Sequence, residues 1–256
     1  MSLTLGYSTL ASRLSNIKLP DLSNHPDWEV LITVQSGDES APDLTKAPTS
    51  AKILGFAGRG VTKIRNEVIR NATTDYLIFA DDDIQFDLKN VASAIEHMQK
   101  TGIGLLLGQA TDEFGELRKS YPSQITKLNK INSAKAATYE MLIDLNQVRA
   151  SGVFFDERFG AGADTTYLGD EYIFICDLVS AGVSCEFVPI TLAIHPKESS
   201  GSGWGTDQDR IARALIFDRA FQGNLTLPYI ARFGFGLRKL GKELSFVDFL
   251  KFIFKK

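Results

Sequence analysis

The chain has 256 residues, 44% hydrophobic and 23% charged, an ordinary globular composition that excludes collagen-like, disordered and coiled-coil proteins. Its net charge of −3 speaks against a globally basic nucleic-acid binder. Two cysteines, Cys176 and Cys185, are too few for a disulfide framework, and no apolar run reaches the roughly 20 residues that span a bilayer.

Residues 3–7 form the first predicted strand. The second, 28–34 (WEVLITV), is rich in β-branched residues and ends in the turn cluster Ser36-Gly37-Asp38. Residues 53–57 read as a third strand. Helical spacing over 61–72 puts Val61, Ile64, Val68 and Ile69 on one face. A buried strand over 75–80 (DYLIFA) runs straight into Asp81-Asp82-Asp83. A helix over 88–101 turns Val91, Ala94, Ile95 and Met98 inward, and 103–107 is again strand-like. This alternation predicts an α/β fold with a mostly parallel central sheet flanked by helices. Beyond residue 110 the pattern is less regular, until a helix over 170–181 and a strand over 184–188. A polar loop over 196–209 and C-terminal helices close the chain. The expected organisation is one compact domain, 1–225, followed by a basic amphipathic helical tail, 226–256.

Three consecutive aspartates after a hydrophobic strand are the most informative feature. Ligands of open α/β sheets bind beyond the carboxyl ends of the strands. Clustered like charges call for a cation, and a hard divalent ion held by one or two carboxylates and substrate phosphates answers that call. A solvated acidic turn at the start of the next helix is the plain alternative.

Three segments decide between them. They are RNEVIRNATTDYLIFADDDIQFD (65–87), FDERFGAGADTTYLGDEYIFICDLVSAG (155–182) and CEFVPITLAIHP (185–196). Together they resemble glycosyltransferase family 2, a family of the GT-A fold whose strand-end acids form a DXD motif. The resemblance implies an inverting, divalent-metal-dependent transfer of sugar from a nucleoside-diphosphate sugar to a hydroxyl acceptor, saccharide or lipid-linked. The setting it implies is surface polysaccharide or glycoconjugate synthesis. By the same resemblance Asp81 lies near the ribose, with Asp82 beside it in the donor site, and Asp83 binds Mn²⁺ or Mg²⁺. Asp38 reads the nucleobase, and Thr9 contacts the nucleotide. Arg65 either holds the nucleotide or belongs with Asn66 to a brace at the helix start. The family's Gly-Glu-Asp appears as Gly169-Asp170-Glu171, with the acids exchanged. Glu171 occupies the usual base position, with Asp170 as the second candidate.

Other residues allow two readings each. His195 follows a strand and precedes a proline, as a metal ligand or as a hydrogen-bonded structural histidine. Neutral imidazole suits Mn²⁺ better than Mg²⁺. The Ser/Gly loop around Trp204 is either a lid whose indole stacks on a sugar or base, or a plain surface loop. Arg210 and Arg213 either grip the diphosphate or decorate a helix surface. The tail from residue 225 holds seven basic and two acidic residues. Within it, 245–254 (SFVDFLKFIF) places Phe246, Phe249, Leu250 and Ile253 at helical spacing. That face meets a membrane surface, its own domain or a second subunit of a homodimer. The opening residues lack an apolar core, so a cytoplasmic location is expected, with peripheral contact on the inner membrane face through the tail. A nucleotidyltransferase would carry a Gly- and Lys-rich signature after the first strand, which LGYSTLASR lacks. A non-catalytic binding module would not need the acids at 81, 83 and 170–171.

Overall fold

The computed structural model describes residues 1–197 and 206–254. Its first half contains β1 (Leu3–Leu10), β2 (Trp28–Gln35), β3 (Lys52–Phe56), α1 (Val61–Asn71), β4 (Tyr76–Ala80), β5 (Gln85–Phe86), α2 (Leu88–Thr101) and β6 (Leu105–Thr111). Then come β7 (Thr126–Lys127), β8 (Met141–Asp144), α3 (Leu145–Ser151), α4 (Asp170–Ser180) and β9 (Cys185–Ile194). Three helices follow: α5 (Asp207–Ala220), α6 (Leu227–Lys239) and α7 (Phe246–Phe254). Short 3₁₀ turns follow β1 (Ala11–Asn16) and precede β8 (Thr138–Glu140).

The strands form one sheet in the order β3-β2-β1-β4-β8-β6-β9-β5, with β7 also on β9. β1 runs parallel to β2 and β4, β2 to β3, and β6 to β9. The sheet as a whole is mixed, because β8 enters antiparallel between β4 and β6 and the two-residue strands β5 and β7 pair antiparallel with β9. These three come from short segments without a repeating pattern. β9 also runs six residues past the predicted strand. The predicted strand stops short of Pro189, whereas β9 passes this exposed residue, and the register to β6 shifts just beyond it, as a strand proline requires.

Both faces of the sheet are covered. Val91, Ala94, Ile95 and Met98 of α2 pack on Leu5, Tyr7, Ile32 and Ile78 on one face. On the other, Val68 and Ile69 of α1 and Phe174 and Leu178 of α4 pack on Leu31, Leu77, Phe79 and Leu105. α2 matches its predicted span because both ends are written locally. The Asp87 carboxylate accepts from Asn90 N at 3.0 Å, and Gly102 closes the helix in the left-handed conformation at φ 72°.

The tail is split between two faces. Phe249, Phe252 and Ile253 of α7 are buried, while Phe246 and Leu250 are exposed. The single apolar face expected from the sequence is therefore divided, and Phe252 joins its inner half. Gly236 of α6 admits α7 closely, since a Cβ there would lie 2.8 Å from the Phe249 ring. Among the described residues no helix is long and apolar enough to cross a membrane.

Candidate active site

β1 and β4 lie side by side where the sheet order reverses, with Tyr7 opposite Ala80. The residues just beyond β4 are the three aspartates, and their side chains have three different surroundings. Asp82 turns inward with its side chain 5% exposed, accepting from Thr9 Oγ1 at 2.8 Å and Arg13 Nη2 at 2.6 Å. Asp81 and Asp83 turn outward, at 38% and 35% exposed. Thr9 and Asp82, both expected against the nucleotide, thus commit their side chains to each other and fix the two strand ends. Arg13, which the sequence did not single out, also lies 4.0 Å from Asp83.

Arg65 of α1 is buried and meets acids from two segments. Its Nη2 lies 3.1 Å from Asp81 Oδ1 and its Nη1 lies 2.6 Å from Asp170 Oδ2, with Glu171 Oε1 at 3.8 Å. Its guanidinium is therefore held by carboxylates of the protein itself. The neighbouring Asn66 exchanges hydrogen bonds with the Phe155 backbone, at 3.0 Å to its oxygen and 2.8 Å from its nitrogen. The RN pair thereby ties α1 to the second acidic motif.

Asp170 and Glu171 open α4, and their environments differ. Asp170 is 6% exposed and Glu171 is 23% exposed. Burial and the adjoining Glu171 charge push Asp170 well above the ordinary carboxylate value despite Arg65. Burial works against ionising Glu171 as well, yet the Arg65 charge and a 2.7 Å hydrogen bond from Thr138 Oγ1 hold it below its ordinary value. The pair therefore keeps its negative charge on Glu171. Gly160 makes the burial of Asp170 feasible: its φ is 99°, and a Cβ would lie 2.9 Å from the Asp170 carboxyl carbon.

Thr138 is anchored by its neighbour. Glu140 is fully buried, 2.7 Å from Lys119 Nζ, and accepts from Tyr121 Oη at 2.6 Å. Neither Thr138 nor Glu140 carried a sequence signal, since both lie in the irregular middle of the chain. Glu171 opens onto a cavity of about 220 Å³ lined also by Leu168, Tyr172, Arg213, Phe217 and Phe235.

His195 is buried at the end of β9. Gln85 pairs with Ile194, so His195 stands abreast of Ile84, next to Asp83 in the chain. Its Nδ1 lies 2.7 Å from Pro196 O, which favours the tautomer with a lone pair on Nε2, and its ring lies 4.8 Å from that of Tyr139. Among the described residues no three His, Cys, Asp or Glu side chains converge into a self-sufficient metal site.

Asp38 is exposed beyond β2, and its carboxylate accepts from the Ser40 hydroxyl and from Ser40 N at 2.9 Å, which lowers its pKa. Nearby, Gln35 Oε1 is buried without a hydrogen-bond partner, on a cavity of about 230 Å³ that also touches Phe56, Arg59 and Lys63. A polar residue ending a buried strand was the available signal for Gln35. Arg210 is buried, 2.7 Å from Asp207 and 3.3 Å from Asp248 of α7, so it fastens the tail. Trp204 and most of the proposed lid loop fall at residues 198–205, outside the described residues.

A mixed sheet with an acidic strand end beside a second acid pair places the molecule in the GT-A class of folds. The sequence model of glycosyl transferase family 2 matches residues 8–155, more than half of the chain, and the chain belongs to that family. Among solved structures it is similar to S. aureus TarS, at 12% identity over 95% of this chain and 44% of that one, with a TM-score of 0.59. It is likewise similar to TarS 1–349 in complex with UDP-GlcNAc, at 12% identity, 99% and 82% coverage and a TM-score of 0.59. The same TarS segment in complex with UDP gives 12% identity, 98% and 81% coverage and a TM-score of 0.55. The chain thus spans less than half the length of the longer TarS chain. No curated protein sequence matches it.

Proposed function

We propose that the chain is an inverting glycosyltransferase that moves a sugar from a nucleoside-diphosphate sugar to a hydroxyl acceptor. The observation that carries this reading is the buried Arg65, which joins Asp81 on the donor side to the Asp170–Glu171 pair. Family membership and the likeness to TarS bound to UDP and UDP-GlcNAc favour a uridine nucleotide. Donor contacts fall to Asp81 at the ribose and to Asp38 and Gln35 at the base, where the orphaned Gln35 oxygen awaits a donor N–H.

The residues present suit a hard divalent cation, Mn²⁺ or Mg²⁺. Asp83 offers half-exposed carboxylate oxygens and His195 an Nε2 lone pair, while the remaining ligands are left to the diphosphate. Such an ion supplies Lewis-acid neutralisation of the diphosphate leaving group. Glu171, ionised and open to its cavity, takes the proton of the acceptor hydroxyl as that oxygen bonds to the anomeric carbon. The bond from that carbon to the phosphate oxygen breaks in the same displacement, releasing the nucleoside diphosphate. Asp170 and Arg65 are positioning residues, holding Glu171 in place and in its charged form.

Thermal shifts with UDP, with and without Mn²⁺, test the donor side. A ligand at 100 times its Kd stabilises the native state by about 2.7 kcal/mol. We expect a Mn²⁺-dependent shift in the parent that Asp83→Ala loses. An Mn²⁺-dependent shift of equal size in both would remove Asp83 from the metal site, and no response to any nucleoside diphosphate would overturn the function.

A further inference from the structure

We infer that the α6–α7 hairpin docks on an anionic lipid surface. Its inward side is occupied: the Phe252 ring lies 5.9 Å from Phe235 and 6.4 Å from Phe217. Its outward side carries a second apolar stripe. Ile230, Phe233 and Leu237 on α6 and Phe246, Leu250 and Phe254 on α7 are all exposed, at helical spacing. The two stripes meet across Phe249, whose ring is 5.7 Å from Phe233 and 6.5 Å from Phe246. An apolar surface of this extent on two adjacent helices is the mark of an interaction site.

Charge selects the occupant. Arg238, Lys242 and Lys251 are exposed on the hairpin. Its two acids are already answered, Glu243 by Lys239 at 2.8 Å and Asp248 by Arg210 at 3.3 Å. Two copies meeting face to face would oppose cation to cation. An anionic bilayer satisfies both features, with the apolar side chains entering the boundary between headgroups and acyl chains and the cations meeting phosphates. The hairpin lies on the surface and does not cross it.

The cavity at Glu171 is lined by Phe235 of the hairpin and by Phe217 of α5, on which the hairpin packs. The docked hairpin therefore borders the acceptor side, which suits a lipid-linked hydroxyl. That acceptor class rests on the glycosyltransferase reading, whereas docking itself does not.

Co-sedimentation of the full chain with vesicles of phosphatidylcholine and phosphatidylglycerol tests the docking. The chain should pellet with these vesicles, stay in the supernatant with phosphatidylcholine alone, and be released by high salt. Phe246→Ser/Leu250→Ser keeps the charge and should weaken partitioning by about tenfold or more. Its Tm should match the parent, because both side chains are exposed. Lys242→Glu/Lys251→Glu should abolish binding at low salt. A parent that stays in the supernatant, or variants that pellet like the parent, would overturn the proposal. So would a dimer that Phe246→Ser/Leu250→Ser splits in the absence of vesicle binding, since a second copy would then cover the face. Docking without sugar transfer to any acceptor would remove the proposed function alone. Transfer to a soluble acceptor without docking would remove this inference alone.

Discussion

Arg65 and Arg210 are both buried arginines held by carboxylates from more than one element, yet they serve different ends. The acids around Arg65 include Asp81 and Glu171, which open outward to the strand ends and to a cavity. Those around Arg210 are Asp207, exposed on the same helix, and Asp248 on the neighbouring one. Burial and ion pairing are alike, so neither tells a site from a fastening, and neither does exposure, since Asp207 is 79% exposed. What separates them is where the carboxylates stand: Asp81 beyond the end of β4 and Glu171 on a cavity, against Asp207 and Asp248 on two helices. In the proposed mechanism Arg65 organises the reacting groups, and Arg210 joins α5 to α7.

That contrast is sharpest under Arg65→Met. Removing the cation leaves the negative charge of the Asp170–Glu171 pair without its counter-charge, a change that costs about 3–5 kcal/mol. Turnover should vanish and the Tm should fall together. Turnover near the parent level would erase the distinction between the two arginines. Glu171→Gln should separate the effects, lowering kcat about 10²–10⁴-fold while leaving the Tm and nucleotide affinity unchanged. If Asp170→Asn has that effect and Glu171→Gln does not, the base is the buried acid. Arg210→Met should do the reverse. Its partners are partly in water, so about 1 kcal/mol is at stake, or 2–4 °C in Tm, with turnover on a soluble acceptor unchanged.

The mildest test is Thr138→Val. Losing this hydrogen bond raises the Glu171 pKa. Because the ionised form is the base, the rate is lost as pH falls through that pKa, so the acidic limb of kcat/KM should move to higher pH. An unmoved limb would mean that Thr138 does not touch the titrating group.

Much of the fold around Asp81–Asp83 was legible because its signals are local. The buried run 75–80 ends in acids, and α2 carries its own caps at Asp87 and Gly102. The inward turn of Asp82 was not legible, because Asp82 and Asp83 lie in a turn closed by Ile84 N on Asp81 O at 3.3 Å, and the partners of Asp82, Thr9 and Arg13, are remote in sequence. The surroundings of Glu171 were less legible, because long-range pairs build them. Thr138 is set by a buried Glu140 that needs Lys119 and Tyr121, and β8 has only four residues with which to announce itself. The pairing of Arg210 was illegible for the same reason, since Asp248 is remote from it in sequence.

The two cysteines have a practical consequence. Both are buried, and burial pushes Cys176 up to about 11 and Cys185 up to about 12. Thiolate is the reactive form, so neither competes for alkylating reagents near neutral pH. The natural chain is therefore already silent to maleimide chemistry without any prior cysteine removal. A thiol introduced by Leu250→Cys, on the exposed stripe of α7, would be the one rapid labelling position. An environment-sensitive fluorophore attached there would shift its emission when that stripe leaves water.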